Sequence, residues 1–364
     1  MTAPGAKTVL VMAGGTGGHV FPALAVAHEL RANDYRVVWL GTRQGIEARL
    51  VPAAGIDIEW LPVSGLRGKG ALALLLAPFR LLRAAVAALR AFHRIRPSVV
   101  LGMGGFASGP GGVVAWLKRR PLIVHEQNAV AGFTNRALAH LARRVLVAFP
   151  GTLSTREEVV GNPVREDVIA IEEPVQRFAR RDGALRILVL GGSLGARALN
   201  ETVPVALRES GLAVDVLHQC GRGDAEAIRR DYATARLSAT VEPFIDDMSH
   251  AYSWADIAIC RAGAMTVFEL AAAGLGAILV PFPYAVDDHQ TANAHYLADA
   301  QAAVILQEKE MTPAGLAAVL RELGNRERLT VMAINARKQS RPRATQRVAA
   351  VCMELAGAST GGAA

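Results

Sequence analysis

One local pattern occurs twice. Residues 8–19 read TVLVMAGGTGGH and residues 186–197 read RILVLGGSLGAR. Each joins an apolar strand-like run to Gly-Gly-(Thr/Ser)-x-Gly and then to a helix, expected over Ala23–Leu30 and near Ala198–Leu207. A strand, glycine loop and helix that recur after about 180 residues constrain the chain to two Rossmann-like domains in tandem.

Other short apolar runs bounded by Gly and Pro read as buried parallel strands: Val37–Leu40, Val99–Leu101, Leu122–His125, Val145–Ala148, Ile187–Leu190, Val214–Gln219, Ile257–Cys260 and Ala277–Val280. Their alternation with helical patterns predicts an α/β fold with helices on both faces of each sheet. The seam is expected at Gly161-Asn-Pro-Val-Arg165, where GNP breaks the pattern. Residues 1–162 then form one domain and 163–343 the other. Residues 344–356 are expected to form a helix and 357–364 a disordered tail. Ligands of such sheets sit beyond the carboxyl ends of the strands, so two facing domains would set both loops on one cleft.

Charge is unevenly spread. The formal net charge is +8, yet no Asp or Glu lies between Glu59 and Glu126. That segment holds Arg67, Lys69, Arg80, Arg83, Arg90, Arg94, Arg96, Lys118, Arg119 and Arg120, so the remainder is slightly acidic. Such a surface suits nucleic acid, anionic lipid or a phosphorylated substrate. Aromatics are only 5% and do not interleave with the cations, which argues against single-stranded nucleic acid. Three scattered cysteines, Cys220, Cys260 and Cys352, fit a reducing compartment. The N-terminal apolar run is too short for a leader, and no apolar run has a membrane-spanning length.

Glycine loops at helix starts bind phosphate through backbone N–H groups and the helix dipole. Two of them suggest a nucleoside diphosphate or two phosphorylated ligands. The dinucleotide pattern G-x-G-x-x-G is absent from both, and no P-loop Lys follows either. Gly102-Met-Gly-Gly-Phe-Ala107 fits G-x-G-x-x-A, but Ser108-Gly-Pro110 argues against a clean helix start there. His125-Glu-Gln-Asn128 puts four polar side chains at a strand end, where α/β sites form. After Cys260-Arg-Ala-Gly, Glu269 falls on the second turn of a helix and suits a carboxylate–ribose contact. Asp287, Asp288 and His289 read as an acidic helix start rather than a metal site.

The segment Ser64–Pro97 has Phe79, Leu82, Val86 and Leu89 at helical spacing, preceded by ALALLLA at 71–77. Arg80, Arg83, Arg90 and Arg94 fall on an adjoining stripe. The pattern fits a core helix with a basic edge, or a helix lying on an anionic membrane.

Together, GGTGGHVFPALAVA (14–27), GMGGFASGPGG (102–112), HEQNAVAGFTNR (125–136), GNPVR (161–165), GGSLGARALN (191–200) and CRAGAMTVFELAAAG (260–274) resemble the MurG family of undecaprenyl-diphospho-muramoylpentapeptide β-N-acetylglucosaminyltransferases, nearly end to end. The resemblance implies a GT-B fold and metal-independent, inverting transfer of GlcNAc from UDP-GlcNAc to the muramoyl C4 hydroxyl of lipid I, giving lipid II and UDP. It implies that the helix 344–356 crosses back to the first domain, and it implies no cofactor. It implies His19 as general base, with Glu126 as the alternative. Donor contacts are implied for Thr16, Gly17, Gly18, Asn128, Arg165, Ser193, Ile245, Ala264, Met265, Thr266, Val267, Phe268, Glu269 and Gln290, with Arg261 helping the leaving group. Acceptor contacts are implied for Gly14, Gly15, Gly104, Gly105, Phe106, His125 and Asn135. Leu75, Phe79, Arg80, Leu82 and Arg83 would dock on anionic lipid at the cytoplasmic face of the bacterial inner membrane, with Trp116–Arg120 on the same face. Other cell-wall synthesis proteins are expected partners, and nucleic acid is not. The competing readings are another GT-B transferase acting on a lipid, a UDP-GlcNAc epimerase, and a peripheral lipid-binding protein without turnover.

Overall fold

A computed structural model describes residues 7–62, 77–153, 156–192, 195–222 and 225–358. It divides into two compact units, one comprising residues up to Pro163 with those from Arg343 onward, the other Val164–Pro342.

The first unit is built on β1 (Thr8–Met12), β2 (Arg36–Gly41), β3 (Asp57–Trp60), β4 (Val99–Gly102), β5 (Leu122–Glu126), β6 (Arg144–Val147) and β7 (Glu157–Val159), in the order β3-β2-β1-β4-β5-β6-β7. The second has β8 (Leu185–Leu190), β9 (Val214–Gln219), β10 (Ser238–Glu242), β11 (Ile257–Cys260), β12 (Ala277–Leu279) and β13 (Ala303–Ile305), in the order β10-β9-β8-β11-β12-β13. All pairs are parallel. Both are doubly wound sheets. Strand order reverses between β1 and β4, and again between β8 and β11, and a crevice forms at such switch points.

Alternation along β1 explains the layers. Val9 and Val11 face one core, shared with the helices Gly17–Ala32 and Ala344–Ala358, while Leu10 and Met12 face another, shared with the helix Ala77–Ile95. The helix Ala344–Ala358 lends Val348, Ala349, Val351, Cys352 and Ala356 to the first of these cores. It runs two residues past the expected end, and Ser359–Ala364 lie outside the described residues.

Two helix starts differ from expectation. The first helix begins at Gly17, six residues early, and carries Pro22 inside it. Burial of Val20 and Ala23 outweighs the poor helix propensity of that turn. A helix also forms over Ser108–Leu117 despite its glycines and Pro110. The Ser108 hydroxyl donates within reach of Met12 O (3.0 Å) and Gly104 O (2.7 Å), and a side chain at Gly111 would collide with Met12 Sδ.

Candidate active site

The loop after β1 is held from behind by a buried carboxylate. Glu47 accepts from Gly15 N (2.9 Å), Thr42 N (3.1 Å) and Thr42 Oγ1 (2.7 Å). Trp39 Nε1 donates to Ala13 O (2.8 Å). The N-cap of the following helix is Thr16, which makes no side-chain cap bond. The N–H groups of Gly17 and Gly18 can then face an anion, while His19 N bonds to Thr16 O at 3.2 Å.

The loop after β4 lies against the first. Gly104 and Gly105 have φ of +97° and +86°, which disfavour any side chain there. Space forbids one as well. A Cβ on Gly104 would lie 2.8 Å from the His19 ring, and one on Gly105 would lie 2.5 Å from Gly14 O. The two loops and His19 thus form one surface at the switch point of the first sheet, with Phe106 exposed beside them.

Behind His19 runs a buried polar chain. His19 Nδ1 lies 2.9 Å from Gln127 Oε1, Gln127 Nε2 lies 3.1 Å from His125 Nδ1, and His125 Nε2 lies 2.9 Å from Gly161 O. Gln127 Nε2 also donates to His125 O (3.2 Å), and Asn162 Nδ2 donates to Gln127 O (2.9 Å). Burial pushes the His125 pKa down to about 4, so its ring is neutral near pH 7.

Three residues expected to meet ligand do supporting work instead. His125 is fully buried with both ring nitrogens engaged, so it underpins the surface of the glycine loops rather than lining it. Glu126, almost fully buried, accepts from Asn128 N (2.9 Å), Asn128 Nδ2 (3.3 Å), Gly132 N (3.2 Å) and Asn135 Nδ2 (2.9 Å). A carboxylate with that many donors organises its loop, and no lone pair is left over for an incoming hydroxyl proton. Asn135 is buried in the same cluster.

In the second unit the described part of the loop after β8 turns through Gly191, Gly192 and Gly195; Ser193 lies outside the described residues. The helix Ala264–Ala273 follows β11, has Gly263 as N-cap and lacks a capping side chain. Met265 and Thr266 are partly exposed on its first turn. Ala264, Val267 and Phe268 are buried, and Phe268 stacks on Tyr296 at 5.1 Å. Val267 and Phe268 therefore serve the core, and any ligand contact there falls to backbone.

Glu269 and Arg165 meet, Oε1 to Nη2 at 3.8 Å, and Tyr252 OH donates to Glu269 Oε2 (2.9 Å). Burial raises the Glu269 pKa, and Arg165 and Tyr252 oppose that rise. Ile245 is nearly buried beside exposed Phe244. Gln290 accepts from Phe282 N through Oε1 (2.9 Å), which turns its amide nitrogen outward from that bond. Arg261 is committed elsewhere, to Glu308, Val280 O and Pro281 O. Among the described residues no His, Cys, Asp and Glu group could hold a metal.

Sequence reasoning missed Glu47, Tyr252 and the orienting place of Gln127. Glu47 and Tyr252 carry no local signal, since Glu47 acts on the distant Gly15 loop and Tyr252 on Glu269 of another helix. Gln127 stood inside the quoted HEQN and could have been weighed with its neighbours.

The helix Ala77–Ile95 has two faces. Ala84, Ala88, Ala91 and Phe92 are buried, while Phe79 is 71% and Leu82 64% exposed, with Val86 and Arg83 beside them. Phe79, Leu82, Arg83, Val86, Arg90 and Pro62 line a groove of about 550 Å³. Phe79, Leu82 and Val86 of the expected apolar stripe therefore lie outside the core, whereas Leu89 is partly buried and packs against it. Among the cations of this segment, Arg94 pairs with Glu59 at 2.6 Å. Leu75 and the side chain of Arg80 lie outside the described residues.

Residues 9–147 match the glycosyltransferase family 28 N-terminal domain and residues 186–348 its C-terminal domain. A Nitrosococcus oceani protein named UDP-N-acetylglucosamine--N-acetylmuramyl-(pentapeptide) pyrophosphoryl-undecaprenol N-acetylglucosamine transferase is 56% identical, over 96% of this chain and 98% of its own. A Marinobacter nauticus protein of the same name is 52% identical, over 98% and 99%. The crystal structure of Acinetobacter baumannii MurG superposes with a TM-score of 0.86 at 45% identity, covering 96% of this chain and 99% of that one. The calicheamicin glycosyltransferase CalG4, at 18% identity and a TM-score of 0.66, shares the fold.

Proposed function

The chain belongs to glycosyltransferase family 28 and within it to the MurG family, and from that premise we propose how its residues divide the work. The reaction is transfer of GlcNAc from UDP-GlcNAc to MurNAc-pentapeptide-pyrophosphoryl-undecaprenol, the step that makes lipid II for peptidoglycan. The fold is GT-B, two parallel α/β units.

In our reading the second unit holds the donor. The Arg165–Glu269–Tyr252 cluster at the helix Ala264–Ala273 binds ribose hydroxyls through Glu269, while Arg165, the first-turn N–H groups and the Gly191–Gly195 loop receive the diphosphate. Met265 and Thr266 border the nucleotide, Ile245 the base, and Gln290 and Asn128 the sugar. The first unit holds the acceptor diphosphate on Gly14–Gly18 and Gly104–Phe106.

His19 takes the proton of the muramoyl C4 hydroxyl on Nε2. The oxygen bonds to GlcNAc C1 from the face opposite UDP, the C1–O bond to UDP breaks, and UDP leaves with the electron pair. Attack from that face inverts the anomeric centre. The observation that carries this reading is the His19 ring held at the lip of two apposed glycine loops by a buried amide.

The exposed face Phe79–Leu82–Arg83–Val86 docks on anionic lipid of the cytoplasmic leaflet. No helix among the described residues is long and apolar enough to cross a membrane.

The test is transfer of radiolabelled GlcNAc from UDP-GlcNAc to a lipid I analogue with EDTA present and a control without acceptor. Acceptor-dependent, EDTA-resistant transfer is expected. Consumption or epimerisation of UDP-GlcNAc in the control would move the assignment to an epimerase.

A further inference from the structure

We propose that Gln127 and His125 are positioning residues that fix His19 as its Nδ1–H tautomer and so leave Nε2 a bare lone pair, with Gly161 and Asn162 as the anchors. The inference rests on the reading of His19 as the base and adds what makes it one.

The proton positions follow from groups that have no choice. The carbonyl of Gly161 can only accept, so His125 Nε2, 2.9 Å away, carries a hydrogen. A neutral ring has one such hydrogen, so His125 Nδ1 is an acceptor. The group facing it at 3.1 Å must then be the NH2 end of Gln127. An independent contact agrees: the same Gln127 nitrogen lies 3.2 Å from His125 O, another obligate acceptor. With its nitrogen so committed, Gln127 offers only Oε1 to His19, at 2.9 Å. His19 Nδ1 must donate, and in the neutral ring Nε2 has no hydrogen.

Each link is buried apart from the His19 end, where water and substrate enter. Asn162 Nδ2 donates to Gln127 O and fixes the backbone that carries the amide. The GNP stretch, expected as the seam between the domains, is thus the fixed end of this hydrogen-bond chain. Gln127 accomplishes this without charge. When Nε2 takes the acceptor proton, the Nδ1–H bond to Oε1 persists and the imidazolium needs no second rearrangement.

The test uses the full-length protein labelled with 15N-histidine and long-range 1H–15N correlation spectra at pH 8, with His19 assigned by its loss in His19→Gln. The expected wild-type pattern has the His19 proton on Nδ1 and Nε2 in the lone-pair range. Gln127→Met keeps the length of the side chain and removes both bonds. His19 should then report a tautomer mixture, and kcat should fall about tenfold with KM for UDP-GlcNAc within about twofold. A wild-type proton on Nε2, or an unchanged His19 pattern in Gln127→Met, overturns the proposal. The wild-type spectrum decides even if that variant fails to fold. The expected spectrum without lipid-dependent transfer would sink the functional reading and leave the tautomer assignment standing.

Discussion

In the first unit a side chain braces the glycine loop; in the second, backbone does. Glu47 reaches the first loop from the far side of Thr42 and takes up the N–H of Gly15. The described part of the second loop is held by Gly191 N to Gln219 O and Gly195 N to Gly192 O, both 3.0 Å, and Asn200 Nδ2 bonds Cys220 O at 3.1 Å. No carboxylate among the described residues bonds to it. One sequence pattern is therefore braced in two ways, by a buried carboxylate in the first unit and by backbone in the second.

The largest expected effect separates the two kinetically. His19→Ala should lower kcat about 10²- to 10⁴-fold with donor KM little changed, whereas Glu269→Ala should chiefly raise the KM for UDP-GlcNAc. Steady-state kinetics in which both variants move the same parameter would erase the distinction. Next, Glu47→Gln should destabilise the protein by about 1–3 kcal/mol, because the amide nitrogen would face the Gly15 N–H or the Thr42 donors. Asn200→Ala in the second unit should cost about 1 kcal/mol. Urea unfolding that ranks them the other way would break the comparison.

A pH series then tests both units at once. Burial pushes His125 in the first and His218 in the second from 6.5 to about 4. As pH falls, the unfolded chain takes these protons first. The stability is therefore fully present above about pH 6.5 and is lost as pH falls towards 4. The loss should be about 2 kcal/mol per histidine between pH 7 and pH 5. His125→Phe should flatten its share of that slope; equal unfolding midpoints for the wild type at pH 7 and pH 5 would contradict the assignment. The smallest effect belongs to the first unit alone. Arg83→Ser should weaken binding to anionic vesicles by about 1 kcal/mol while leaving UDP-GlcNAc affinity as it was. Co-sedimentation unaffected by the change would remove this helix from the lipid surface.

Every interior strand of both sheets was legible as an apolar run. The four that were not are β3, β7, β10 and β13, and these are the four edge strands. Asp57-Ile-Glu-Trp60, Glu157-Glu-Val159 and Ser238-Ala-Thr-Val-Glu242 carry polar residues because one side of each strand meets no partner. Ala303–Ile305 is simply short. The site divides in the same manner. His19 and Glu269 stood out because they follow glycine turns at strand ends. Glu47 and Tyr252 were not, because their bonds to Gly15 and Glu269 span 32 and 17 residues of chain. Burial also turned apparent ligand contacts into supports, as with His125, Glu126 and Phe268, and a motif does not state which side of a loop will face water.

The helix Ala344–Ala358 closes the core of the first unit from the far end of the chain. On a ribosome this sets an order of events. The second unit is a continuous segment and has its last strand by Ile305. The first emerges earlier yet leaves Val9, Val20 and Ala23 without their final cover until Ala356 has been made. The domain that is synthesised first is thus the one completed last. Truncation at the C-terminus should accordingly weaken the half of the protein that carries His19, more than 300 residues upstream by sequence count.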